Sequence, residues 1–118
     1  MSVVKGTGTS VIASTSSTTT SSAISATSDY ATDVYISLAQ SSTAATVAGQ
    51  VQIQVSPDGG TTYYSPASLL FAAPLTASTT TNWVVSLPPS TTKYQAVYTQ
   101  CTTGTCTCVV QSNDVTGI

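Results

Sequence analysis

Hydrophobic and polar residues alternate with a period of two along much of this 118-residue chain, most regularly from Gln50 onward. Val51, Ile53 and Val55 are interleaved with Gln50, Gln52 and Gln54, so an extended backbone carries apolar side chains on one face and amides on the other. Ser56-Pro57-Asp58-Gly59-Gly60 then supplies a tight turn. Pro57 presets φ, Asp58 accepts hydrogen bonds from nearby backbone N–H groups, and Gly59 and Gly60 take up positive φ without a Cβ clash. The pattern predicts a hairpin, with Thr61 to Tyr64 beginning the return strand.

The same alternation predicts a strand from Asp33 to Gln40, where Val34, Ile36 and Leu38 are spaced by Tyr35, Ser37 and Ala39. Ala67 to Ala73 reads as a short strand between Pro66 and Pro74, and Asn82 to Leu87 as another, stopped by Pro88-Pro89. Lys93 to Gln100 alternates again, a second hairpin turns near Thr102 to Thr105, Cys106 to Gln111 returns, and Val115 belongs to a last short piece. No stretch of helical length keeps a 3.6-residue period. Six to eight short strands punctuated by turns define an all-β chain, an antiparallel β-sandwich of Ig-like or jelly-roll-like type over residues 29–118. Its expected core is Val34, Ile36, Leu38, Val51, Ile53, Val55, Leu70, Trp83, Val85, Tyr94, Tyr98 and Val109. Each buried aliphatic side chain contributes roughly 1.5–3 kcal/mol. Ordering the backbone costs about 1–2 kcal/mol per residue, so so small a core gains from association with other subunits.

Residues 1–28 stand apart as a low-complexity segment, densest in Ser and Thr between Ser14 and Ser22. Val3, Val4, Val11, Ile12 and Ile24 are too few to offset the entropy of ordering it as a core of its own. Two readings follow. The segment is a tail without fixed structure, or an extended N-terminal arm that becomes a strand against a neighbouring subunit. Its β-branched content leans toward the arm.

Charge narrows the partners. Lys5 and Lys93 face Asp29, Asp33, Asp58 and Asp114, for a net charge of −2, with no Arg, His or Glu. Two cations cannot track a phosphate backbone, which argues against nucleic-acid binding. Ser and Thr, over a third of the residues, do the surface work usually done by Lys and Glu. Such a surface suits a protein whose exterior meets neighbours in an assembly. The apolar run Leu69 to Ala73 is too short to cross a bilayer. No apolar signal-peptide region follows Met1, so the expectation is a chain made and used without secretion. An odd number of cysteines, three, fits a reducing compartment.

Candidate chemistry is sparse. Cys106 and Cys108 point the same way along a strand, about 6.6 Å apart at Cα, near the limit for a bridge. Cys101 and Cys106 flank a four-residue turn that can set them opposite each other, a candidate cross-hairpin disulfide. A metal would need ligands that the chain does not offer, and the thiols read best as small buried apolar groups. General acid–base catalysis calls for His, Glu or paired Asp, and a Ser or Thr nucleophile has no base to activate it. The expectation is no enzyme, no cofactor and no metal. Tyr30, Tyr35, Tyr63 and Tyr64 offer more. Tyr63 and Tyr64 face opposite sides, so one is exposed; the readings are a protein contact or a glycan-stacking patch and, for any single tyrosine, ordinary cross-strand packing.

Two resemblances can be stated on these residues. Ser56-Pro57-Asp58-Gly59-Gly60-Thr61-Thr62-Tyr63 resembles the Asp-box of sialidases and other β-propellers, itself a hairpin turn with its Asp bonded to turn backbone. It occurs once, and without arginines to hold a carboxylate it does not imply sialidase activity. More broadly, the Ser/Thr-rich start, the strand and turn from Val51 to Thr61 and the late strand Lys93 to Thr99 resemble small structural proteins of tailed-phage virions. That resemblance, over roughly residues 50–110, implies a capsid decoration or cement subunit in the virion. Its partners would be the major capsid protein and copies of itself, with no nucleic acid and no membrane. Tail, neck or fibre-associated components and surface adhesin modules are the alternatives.

Overall fold

In the computed structural model, which describes residues 4–26 and 31–117, the chain is a two-layer β-sandwich. Its strands are β1 (Val4–Lys5), β2 (Thr9–Thr15), β3 (Thr19–Thr20), β4 (Ile24–Ser25), β5 (Ala31–Gln40), β6 (Gln50–Ser56), β7 (Leu70–Ala72), β8 (Thr80–Ser86), β9 (Lys93–Thr99) and β10 (Cys106–Gly117). A 3₁₀ turn, Ala67–Leu69, precedes β7. In one sheet β1 and β2 lie end to end along β10, followed by β5 and β8; in the other β3 and β4 lie along β9, followed by β6 and β7. All these ladders are antiparallel.

The pairing is nested. The β1–β2 unit pairs with β10, the β3–β4 unit with β9, β5 with β8, and β6 with β7. This is one long antiparallel ribbon bent over on itself, and the β10·β5 and β9·β6 ladders close it into two sheets. That connectivity is a jelly roll. The Ig-like option is thereby set aside.

Alternation drives the burial. In β5, Val34, Ile36 and Leu38 point inward, and Val51, Ile53 and Val55 answer them from β6. Tyr94, Ala96 and Tyr98 of β9 and Cys106, Cys108 and Val110 of β10 fill the space between. Two tyrosine hydroxyls end inside this core and both are paired, as burial demands. The Tyr94 hydroxyl meets the Ser112 hydroxyl across the sheets at 2.7 Å, and the Tyr98 hydroxyl donates to the Cys106 carbonyl.

Several expectations change. Thr61 to Tyr64 do not form a return strand; only Tyr64 bridges Val55, and β6 finds its partner in β7, opposite Gln50 to Gln52. The expected hairpin at Thr102 to Thr105 is instead a crossover, because β9 and β10 belong to different sheets. Two registers shift by one residue: Leu69 and Phe71 are buried while Leu70 is exposed, and Val110 is buried while Val109 is half-buried. In β10 three inward neighbours, Cys106, Cys108 and Ser112, fix the parity against Val109.

Of the Ser/Thr-rich segment, the described residues 4–26 pair with β9 and β10 of the same chain. Among them Ile12 alone reaches the buried core, with Val11, Ile24 and Ala26 packed partly against it. Hydroxyls and backbone complete the attachment. Ser21 bonds Ala96 through its N–H and accepts the Ala96 N–H on its Oγ, both at 2.9 Å, while Thr18 Oγ1 accepts the Gln100 N–H at 3.2 Å. A segment poor in apolar residues is thus held as the edge of both sheets. The boundary at residues 28 and 29, with Asp29 and Tyr30, lies outside the described residues.

Candidate functional site

The Asp58 turn is built around one carboxylate and one hydroxyl. Asp58 Oδ1 accepts the Ser56 hydroxyl at 2.7 Å and the Thr62 N–H at 2.9 Å, while Ser56 Oγ accepts the Gly60 N–H at 2.9 Å. These bonds, the Thr62 N–H first and the Ser56 hydroxyl second, hold the Asp58 carboxyl below the usual carboxylate range. Thr92 locks the turn from β9's side, accepting the Gly59 N–H at 2.8 Å and donating to the Ser56 carbonyl at 2.9 Å. Gly60 has φ of +94°, and a Cβ there would come within 3.2 Å of both the Lys93 side chain and the Tyr63 hydroxyl. Pro57 is exposed at the tip. The bonds of Asp58 Oδ1 and Ser56 Oγ are made within the turn and Thr92 clamps it from outside, an arrangement that holds the turn's shape.

The cysteines are equally inward-looking. Cys101, Cys106 and Cys108 are free and buried, so the Cys101–Cys106 bridge that the spacing allows is not formed. Burial pushes the Cys108 thiol up to about 12, and it raises the Cys106 thiol as well. Among the described residues no cluster of three His, Cys, Asp or Glu side chains converges. Among the described residues no helix is long and apolar enough to cross a membrane. Tyr63 is half-buried beside Gly60, and Tyr64 is 58% exposed.

The surface that stands out is the outer face of the β10–β5–β8 sheet. Tyr35 of β5 lies between Val84 of β8 and Gln111 of β10, and the next outward row is Asn82, Ser37 and Val109. Together they line a shallow depression of about 290 Å³. Tyr35 is 46% exposed and Val84 59%. No charged side chain lines the depression. The face's charges sit at one end, where Lys5, Asp33 and Asp114 border a second hollow; Asp33 there accepts the Ser86 hydroxyl at 2.6 Å and Asp114 the Thr32 hydroxyl at 2.8 Å. Sequence reading singled out Tyr35 but assigned Val109 to the core and passed over Val84, Asn82 and Gln111. The signal for Val109 was present in the parity of the cysteines on its own strand.

No protein-family model matches the chain, and no curated protein matches its sequence. Solved structures do resemble its fold. The SPBc2 prophage-derived protein YomS superposes with a TM-score of 0.56 over 97% of this chain and 98% of that one, at 10% identity. A chain in the structure of infectious bursal disease virus, Gx strain, superposes with a TM-score of 0.53 over 94% of this chain and 32% of its own length, at 14% identity. At such identities the likeness is one of fold: a jelly-roll sandwich whose whole extent coincides with that of a prophage-derived protein.

Proposed function

We propose that this protein is a non-enzymatic structural subunit of a bacteriophage virion, a decoration or cement protein that sits on the head and binds the major capsid protein. The observation that carries this reading is the uncharged outer face around Tyr35, Val84 and Val109 on a chain with so few charges anywhere. A flat face with an exposed tyrosine, two valines and a rim of Ser, Asn and Gln has the makeup of a protein contact: apolar at its centre and hydrogen-bonding at its border. The fold likeness to a prophage-derived protein over nearly all of both chains supports the same reading, as does the likeness to part of a viral protein. Free buried thiols fit assembly in a host cytoplasm.

In this proposal many modest contacts stabilise the shell, with avidity across the lattice replacing individual affinity. Because the face is neutral, its binding is insensitive to salt. The test is rebinding of purified protein to particles stripped of it. Saturable uptake that changes little between low and high salt, and that Tyr35→Lys or Val84→Asp abolishes, is expected. Uptake that vanishes with modest salt, or that ignores both substitutions, overturns the assignment of this face.

A further inference from the structure

A sandwich of two sheets has edges, and three of these four are blunted. Along β1 and β2 the ladder to β10 shifts register between Val4 and Lys5 and again between Cys108 and Gln111, with a charged Lys5 in the break. The β3–β4 edge is two pieces of two residues each. At β7 the edge is three residues long and lies between Pro66 and Pro74. Bulges, short strands, prolines and lysines are the usual means of stopping a sheet from recruiting another strand. The fourth edge carries no bulge, no charge and no proline within its strand, with Pro88-Pro89 lying beyond its end. Strand β8, Thr80-Thr81-Asn82-Trp83-Val84-Val85-Ser86, pairs with β5 in unbroken register from Ser86·Asp33 to Thr80·Ala39 and contains no Pro, Gly or charged residue.

The backbone groups that point off this edge can be identified. Leu87 donates its N–H to the Thr32 carbonyl at 2.9 Å, and Gln40 donates to the Thr79 carbonyl at 2.8 Å, one pair at each end of the ladder. Bonded and non-bonded pairs alternate along an antiparallel ladder. Thr81, Trp83 and Val85 therefore bond β5, and the N–H and C=O groups of Thr80, Asn82, Val84 and Ser86 face away from it. The side chains of these four residues are exposed on the outer face.

We infer that β8 is a strand-addition edge through which two copies of this chain pair antiparallel about a two-fold axis at Trp83. That register uses the whole strand. It sets Asn82 opposite Val84 of the second copy and Thr80 opposite Ser86, each a bonded pair, for about eight backbone hydrogen bonds. Trp83, half-buried and packed against Phe71 with ring centroids 5.4 Å apart, meets its own equivalent on the inner side. Electrostatics do not oppose the contact. Nothing on β8 is charged, and the nearest carboxylate, Asp33 beside Ser86, lies at opposite ends of the paired strands in the two copies, about 20 Å apart. A contact one strand long buries less than the roughly 800 Å² per partner of a stable interface, so the dimer forms only at high concentration. It would join the two Tyr35–Val84 faces into one continuous platform, which deepens the proposed role; because the test uses the isolated chain, its outcome is separable from that of particle binding.

Sedimentation equilibrium of the full chain from low micromolar to millimolar concentration tests the pairing. The expected mass rises from 11.9 kDa toward twice that value, with the emission of the single tryptophan moving to the blue in step. Val84→Pro removes an N–H that β5 does not use, so the fold persists by circular dichroism while association weakens at least ten-fold. Asn82→Lys places two like charges diagonally across the axis and also weakens it, but salt restores that variant and not the proline one. A chain that stays monomeric throughout, or a dimer that both variants leave intact, overturns the inference.

Discussion

The hydroxyl pair between Tyr94 and Ser112 offers a quantitative test of how the two sheets are held together. Both side chains are 2% exposed, one on β9 and one on β10, and their oxygens are 2.7 Å apart. Tyr94→Phe leaves the Ser112 hydroxyl buried without its partner, and Ser112→Ala does the same to the tyrosine. Each orphaned group costs about 1–3 kcal/mol, whereas removing both leaves an apolar contact and costs little more than the volume lost. The double variant is therefore expected to be more stable than the sum of the singles by about 1–2 kcal/mol. At about 2.1 cal/mol/K per residue the unfolding entropy of this chain makes 1 kcal/mol worth about 4 °C in Tm. Each single variant should then melt about 4–12 °C below the parent, with the double variant no lower than the worse single. Urea unfolding of the four proteins closes the cycle. Strict additivity would mean that the two hydroxyls do not share a buried bond, and the cross-sheet register between β9 and β10 would be wrong.

Two further predictions concern titration. Burial raises the Cys106, Cys108, Tyr94 and Tyr98 groups above their ordinary values, so folding favours their neutral forms. That stability is fully present below the unfolded-state values, near 9 for the thiols and 10 for the phenols, and is lost as pH rises toward the folded ones, by about 1.4 kcal/mol per pH unit for each ionising group. Denaturant midpoints should be level at neutral pH and fall above about pH 9; an unchanged midpoint at pH 11 would refute the burial of these groups. At the acid end Asp58 behaves oppositely. Its lowered value stabilises the turn above the ordinary carboxylate range, and the benefit is lost as pH falls through the folded value. Asp58→Ala should speed amide exchange at Gly60 and Thr62 without unfolding the sandwich, and unaltered exchange at Thr62 would contradict the turn geometry.

Particular residues explain what the sequence revealed and what it hid. β5, β6 and β9 were readable because each alternates large apolar residues with polar ones, and only one parity buries them. β7 was misread by one because Leu69, Leu70 and Phe71 are all apolar, so parity carries no signal until a 3₁₀ turn and Gln52 fix it; Gln52 Nε2 donates to the Pro66 carbonyl at 3.0 Å. The Asp58 turn was legible since its bonds are local, but the clamp from Thr92 joins residues 36 positions apart. The two hairpin assignments fared differently: after the Asp58 turn the chain does return beside β6 in the same sheet, at Tyr64 and then as β7, only later than the alternation placed it. At Thr102 to Thr105 a Gly-containing turn signals a reversal, not which sheet the chain enters next, and in a jelly roll the chain changes sheets there. The Ser/Thr-rich start was hidden most completely, because hydroxyls bonded to β9 and one buried Ile12 hold it where a hydrophobic pattern would be sought.

The proposed residence of this chain on a virion head is tested most directly by quantitative mass spectrometry of purified particles, counting its copies against the main shell protein. A decoration subunit predicts hundreds of copies in fixed ratio to that protein. A dozen or fewer would move it to the neck or tail, and its absence from intact particles would contradict the account.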